Sequence, residues 1–285
     1  NLYGATKLVS MPQDTLAAKI RSLRQDPRVA YAEPNYVVTA DAIPDDPLFG
    51  QLWGLNNLGQ TGGNTDADID APEAWEMTTG LLQSIVGVVD TGVDVSHPDL
   101  YRNIWLNQTE IPTELRDAGL TDSNADGLVT FRDLNDPWNE PLVKDVNRTG
   151  FIDAADLLAD PFWANGDDAD GNGYRDDLVG WDFVNKDNNP FDDFGHGTHV
   201  SGTIGAMANN DLGVAGVSWD VQMMGLKFLG SDDSGVTSDA VLAVQYATRM
   251  GARLTNNSWG GGGFSTALYS AIAASRDAGL LFVAA

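Results

Sequence analysis

Ile85-Val86-Gly87-Val88-Val89-Asp90 is an apolar run, broken by one glycine and closed by an acid. A strand that is apolar on both faces is buried on both faces, which calls for a parallel sheet covered by helices. Its last residue, an aspartate, falls at the C-terminal end of the strand, where open α/β sheets place their sites. Downstream, Phe194-Gly195-His196-Gly197-Thr198-His199-Val200-Ser201-Gly202 sets a histidine between two glycines, at the mouth of a small-residue segment running to Ala208. Glycines there allow a tight backbone approach. The spacing of His199, Thr203 and Met207, with Ile204 and Ala208 beside them, predicts a buried helix. His196 would then project from the start of that helix as a general base. A histidine that merely caps a helix is the plainer reading, and the acid-ended strand upstream weighs against it.

After this helix the pattern alternates. Strands are expected over 222–229, 254–259 and 280–285, with helices over 238–250, capped by Thr237 or Ser238, and 265–278. Repeated βαβ units mean a doubly wound, mostly parallel α/β sheet. Before the core, residues 14–25 predict an amphipathic helix with Asp14 as N-cap and Leu16, Ile20 and Leu23 on one face. Asp26-Pro27 ends it, and an extended segment follows over 29–38.

The chain has 285 residues and no cysteine, and its formal charge is −25, from 41 acids against 16 bases. No apolar run is long enough to span a bilayer. Such a charge makes nucleic acid and anionic membrane poor partners. The acids are local: 21 of them, but only 6 bases, lie between Asn107 and Gly195. A salt-adapted surface would be acidic throughout, so the cluster points to bound Ca2+. Asp122, Asn124, Asp126 and Asp133 occupy positions one, three, five and twelve of a loop of EF-hand length, with Gly127 at six and the Leu128 carbonyl at seven. Asp145, Asn147, Thr149, Phe151 and Asp156 repeat the pattern around Gly150. A third run, 167–177, has Val179 where a twelfth ligand belongs, and reads either as a metal loop or as a hydrogen-bonded turn.

Val89-Asp90-Thr91-Gly92, then His196-Gly197-Thr198-His199-Val200-Ser201-Gly202, together resemble the aspartate and histidine motifs of the subtilisin-like serine proteases, the subtilases. The resemblance covers nearly the whole chain outside residues 107–193, which it marks as an insertion with dockerin-like loops. It implies a catalytic Asp90 and His196, and a polypeptide substrate held as a strand between Asp233-Ser234-Gly235 and Ser258-Trp259-Gly260. It also implies a main calcium site anchored by Asp99 and Asp46, with Asn210 and the carbonyls of Ala208, Leu212 and Val214. Trp53 and Trp75 belong to the mature N-terminus it implies, and both are expected in the core.

Residues 1–43 resemble the C-terminal part of the family's inhibitory propeptide, through Val29-x-x-Ala32-Glu33-Pro34-Asn35-Tyr36. Its tail, 36–40, would block the cleft as an intramolecular inhibitor until cleavage between Val38 and Asp46. Residues 44–285 would be the catalytic domain, incomplete because no Gly-Thr-Ser-Met-Ala segment is present and 281–285 resembles the strand before the oxyanion asparagine. The expectation is a fragment, inactive alone, of a secreted, monomeric, calcium-stabilised endopeptidase made as a zymogen. The rival is a non-catalytic calcium-dependent binding protein on a degenerate protease core.

Overall fold

A computed structural model describes residue 9, residues 13–33 and residues 42–285. The chain divides into two compact units, residues 1–41 and 42–285. In the first, helix α1 (Gln13–Arg24) keeps Leu16, Ile20 and Leu23 half-buried while Lys19 and Arg21 are exposed. It starts before Asp14, so Asp14 lies inside the first turn rather than at the cap. The Arg24 side chain donates to the Ala32 carbonyl at 2.7 Å, closing the turn made by Asp26-Pro27. The expected cleft-blocking tail, 36–40, lies outside the described residues.

The second unit is built on one parallel sheet. Its strands are β1 (Gly80–Asp90), β2 (Gly180–Asp182), β3 (Asp220–Lys227), β4 (Leu254–Asn257) and β5 (Leu281–Ala284), ordered β2-β3-β1-β4-β5. The apolar run that begins at Ile85 is thus the central strand. Adjacent residues of β1 and β3 point into different cores: Val88 and Met223 into one, Val89 and Met224 into the other. Helix α6 (His196–Gly205) covers the first face. On the second face lies α7 (Thr237–Arg249), which packs against α8 (Thr266–Asp277). Gly87 permits the α7 contact, since a Cβ there would stand 3.3 Å from Ala247 Cβ and 3.1 Å from Thr255 Cγ2.

Each element after α6 lies within two residues of its expected start and end. Two details differ. Val236 rather than Thr237 or Ser238 precedes α7 and makes no side-chain cap. Helix α6 stops at Gly205, short of Met207 and Ala208, and His199 and Thr203 are exposed rather than buried. The backbone turns there because Gly216 closes on it, its N–H donating to the Ala206 carbonyl at 3.0 Å.

Short helix α2 (Ala71–Trp75) brings Trp75 between Phe49 and Trp219, with ring centroids at 5.9 and 4.8 Å. Trp53, expected in the core, is 53% exposed. It lies in a turn whose backbone bonds are local, Trp53 N–H donating to the Gln51 carbonyl, and its apolar neighbours Phe49 and Leu55 are buried in its stead.

Residues 107–193 share the main core rather than forming a core of their own. Ile111, Phe131, Leu134, Leu157 and Trp163 belong to one cluster with Val88 and Met223. This stretch carries α3 (Thr113–Asp117), α4 (Phe131–Leu134) and α5 (Ala154–Ala159), and its end supplies β2, which pairs with β3. Arg132 of α4 also reaches the start of β3, its guanidinium 2.6 Å from Asp220 Oδ1.

Candidate active site and acidic loops

Asp90 ends β1 and is fully buried, whereas the His196 side chain is 40% exposed at the first residue of α6. His196 Nδ1 lies 2.7 Å from Asp90 Oδ1. Three features hold that distance. The Asp90 carboxylate also accepts the N–H of Thr91 at 2.7 Å. Thr91 Oγ1 accepts from Gly197 N–H at 2.9 Å and donates to Asp192 Oδ1 at 2.8 Å, joining the end of β1 to the first turn of α6. Finally, Gly197 sits so close to the strand that a Cβ would collide with the Gly92 carbonyl.

Asp192 caps α6 from outside it. Its carboxylate accepts the N–H groups of Phe194, Gly195 and Thr198 at 3.0, 2.7 and 2.8 Å. Those donors have no partner within a helix's first turn. Burial alone would raise the Asp192 carboxyl, but bonds from Thr198, Gly195 and Thr91 outweigh it and hold it below the usual range. His196 is held above the ordinary imidazole value, first by its bond to Asp90 and further by the charges of Asp90, Asp233 and Asp192. A base that donates Nδ1–H to a buried carboxylate leaves Nε2 free to take a proton.

β3 and β4 flank β1, so the segments that follow them flank the pair. The first is a turn closed by an antiparallel bridge between Leu229 and Gly235, leaving Asp233, Ser234 and Gly235 exposed. The second is Ser258-Trp259-Gly260, where the Trp259 ring packs on Phe228 at 4.8 Å. Both segments thus stand at the carboxyl edge of the sheet beside Asp90.

Asp46 and Asp99, far apart in sequence, are both buried against the 208–214 loop. Asp99 accepts from Asn210 Nδ2 at 2.8 Å and Val214 N–H at 3.1 Å, and Asp46 accepts from Asn209 N–H at 2.9 Å. Burial pushes the Asp99 carboxyl up, and the Asp46 charge adds to this. Leu212 belongs to the same loop, and the Asn210 carbonyl oxygen Oδ1 accepts its N–H at 3.0 Å. Asn210 therefore turns its amide nitrogen, not its oxygen, toward Asp99; offering oxygen to a cation needs a half-turn of that amide.

The two tandem loops share one backbone. Position four is left-handed in each, at Ala125 (φ 58°) and Arg148 (φ 64°), and Gly127 and Gly150 both have φ 92°. The first carboxylate accepts the N–H of position six, Asp122 from Gly127 at 2.8 Å and Asp145 from Gly150 at 2.9 Å. The twelfth accepts N–H groups at the start of its loop, Asp133 from Ser123 and Asp156 from Val146 and Asn147. Asn124 Oδ1 and Asn147 Oδ1 each accept the N–H of position five. Asp126 takes the Leu128 N–H, while Thr149 Oγ1 donates to the Phe151 carbonyl.

The third run has the same form from Asp168, which accepts Gly173 N–H at 2.9 Å. Its twelfth position is Val179, and a distant residue takes that part. Glu110 accepts the N–H groups of Ala169 and Asp170, as Asp156 does at Val146 and Asn147. Oxygens of Glu110, Asp170 and Asp177 lie within 4.8 Å of one another. Burial pushes the Glu110 carboxyl up to about 7, with the Asp177 charge adding to this. Asp177 is itself raised, by burial first, and accepts from Tyr246 of α7 and from Asn172. An all-oxygen donor set of carboxylates, amides and carbonyls suits a hard cation such as Ca2+. Glu110 and Asp192 were not singled out in the sequence. A loop lacking its last acid, and an acid four residues before the histidine, are the signals that point to them.

Residues 83–285 match the Subtilase family. The chain is 28% identical over 269 residues to the "Thermophilic serine proteinase" of Bacillus sp. (strain AK1), covering 94% of this chain and 46% of that protein. It is 28% identical over 278 residues to the "Extracellular protease" of Xanthomonas campestris pv. campestris, covering 93% and 38%. To "Subtilisin-like protease 1" of Plasmodium falciparum it is 29% identical over 202 residues, covering 71% and 22%. The chain thus spans less than half the length of these relatives. With most of its central strand, its α6 helix and its later βαβ units inside the matched region, the chain belongs to the subtilase family of serine peptidases.

Proposed function

We propose that this chain is part of a secreted, calcium-stabilised serine endopeptidase made as a zymogen. The observation that carries this reading is the 2.7 Å contact of His196 Nδ1 with buried Asp90, flanked by the exposed segment 233–235 and the half-buried Ser258-Trp259. A polypeptide would lie extended between 233–235 and 258–260, adding a strand by main-chain hydrogen bonds. The nucleophilic serine and the oxyanion donors would come from a part of the protein outside these residues. As that hydroxyl attacks the scissile carbonyl, His196 Nε2 takes its proton and then gives it to the leaving amine. Asp90 fixes the tautomer and stabilises the imidazolium that forms. A water repeats the sequence to release the acyl group.

Ca2+ would be held by Asp46, Asp99, Asn210 and the carbonyls of Ala208, Leu212 and Val214, by each tandem loop, and by Glu110, Asp170 and Asp177. The ion would neutralise carboxylates that the fold packs together; its part is structural. Residues 1–43 would be the inhibitory propeptide remnant. Secretion is supported by the name of the Xanthomonas relative, "Extracellular protease".

The test is hydrolysis of a denatured protein by the full-length protein. Turnover that is lost in His196→Ala supports the reading. A full-length protein that binds calcium but hydrolyses nothing would leave the binding-protein reading in its place.

A further inference from the structure

Lys227 is the last residue of β3 and only 1% exposed. In the sheet register it stands between Asp90 of β1 and Asp182 of β2. Its ammonium donates to the Thr91 carbonyl at 2.6 Å, to Asp193 Oδ1 at 2.6 Å and to the Leu229 carbonyl at 3.1 Å. Three donors meet three acceptors, so none is left over. Thr91 follows Asp90, and Asp193 lies in the loop that leads into His196, so one ammonium spans both halves of the pair.

A buried lysine is costly to keep charged unless carboxylates surround it. Asp90 on β1, Asp182 on β2, Asp192 and Asp193 before α6, and Asp233 on the hairpin after β3 gather about this corner of the sheet, with His196 at its mouth. Burial raises the Asp182 carboxyl, and the Lys227 charge acts against that. The same carboxylates favour a protonated His196, which cannot act as a base.

We propose that Lys227 is the positioning residue of the pair: its buried ammonium ties the backbone after Asp90 to the loop before His196. It also offsets the surrounding carboxylates, so that His196 can stay deprotonated as a base. This role rests on His196 being the base of the proposed endopeptidase, yet it is measurable without turnover.

In the full-length protein with carbon-labelled histidine, the imidazole signal missing from His196→Ala is followed against pH. Lys227→Met is expected to move its midpoint upward by about one pH unit, and Asp193→Asn to move it downward by about half a unit. Lys227→Arg is expected to keep the original midpoint; one as high as that of Lys227→Met overturns the charge role. Both neutral substitutions cut the same ion pair. A residue that only held the loop in place would therefore move the midpoint the same way in both, which overturns the charge role, as does no movement in either. If Lys227→Met does not fold, Asp193→Asn decides alone: a fall supports the role, a rise or no change ends it. Absence of hydrolysis would sink the endopeptidase reading and leave these midpoints to stand as measured.

Discussion

The corner around Asp90 and the pocket around Glu110 both pack carboxylates below the surface, and they treat them in opposite ways. At Asp90 the partners are built in: His196, Thr91 N–H, the Asp192 network and the Lys227 ammonium. At Glu110, three carboxylates face one another with oxygens within 4.8 Å, and their donors are backbone N–H groups, amides and one tyrosine. The first arrangement needs no ion to hold His196, though Asp90 Oδ2 is left buried without a hydrogen-bond partner. The second buries carboxylates beside one another, and burial first, with the neighbouring charges adding to it, raises the Glu110 and Asp177 carboxyl groups. The Asp90–His196 contact is thus held by groups of the chain itself, while the three acidic carboxylates are held close to one another.

The sharpest way to break this contrast is His196→Ala in the full-length protein. It is expected to lower the turnover of a denatured protein by about a thousandfold or more, with the calcium-dependent rise in thermal midpoint unchanged. If both fall together, the two regions are not separate.

Chelation should do the reverse. Removing calcium is expected to lower the thermal midpoint by about 10 °C or more, from the summed linkage of several ions. Scanning calorimetry with and without chelator checks it, and an unchanged midpoint removes the calcium account.

A smaller effect sharpens the difference within the acidic region. With calcium present, Glu110→Gln is expected to lower the midpoint by about 3–6 °C, since one site loses a charged ligand. In chelator above neutral pH the sign should invert. The Glu110 carboxyl is held at about 7, above its ordinary 4.5, so its contribution to folding is present below 4.5 and lost as pH rises through 7. Removing that charge then stabilises. Midpoints of both proteins at acid and alkaline pH, with and without calcium, give the four values needed.

The smallest effect is on the acid limb. His196 is raised above the ordinary 6.5, so kcat/KM should fall with acid through a midpoint above that value. The same profile in Asp192→Asn should shift a few tenths of a pH unit downward, because one of the negative charges around His196 is removed.

Much of the sheet was legible from the residues because strands β1, β3 and β5 carry apolar runs and α7 and α8 show their period, while β4, Leu-Thr-Asn-Asn, was placed by the alternation of elements around it. β2 was not read as a strand; three residues carry no period. The α6 helix was overextended because Met207 and Ala208 keep the spacing, while what stops it is Gly216 packing from outside. Trp53 was misplaced for a related reason: aromatic character says nothing about which side of a turn faces water. Asp90 and His196 stood out by motif, and the structure brings them into contact. Glu110 and Lys227 contact residues far along the chain, so nothing beside them in sequence marks them; for Glu110 the only sign is a distant loop that lacks its last acid.

Gly197 has a further consequence. A side chain on it would strike the Gly92 carbonyl, so the segment just after β1 and the start of α6 pass backbone to backbone. Between that contact and the 2.7 Å bond there is one short side chain on each side, so few torsions can drift. The spacing of proton donor and acceptor is therefore set by the approach of the two backbones as well as by the two side chains that meet across it.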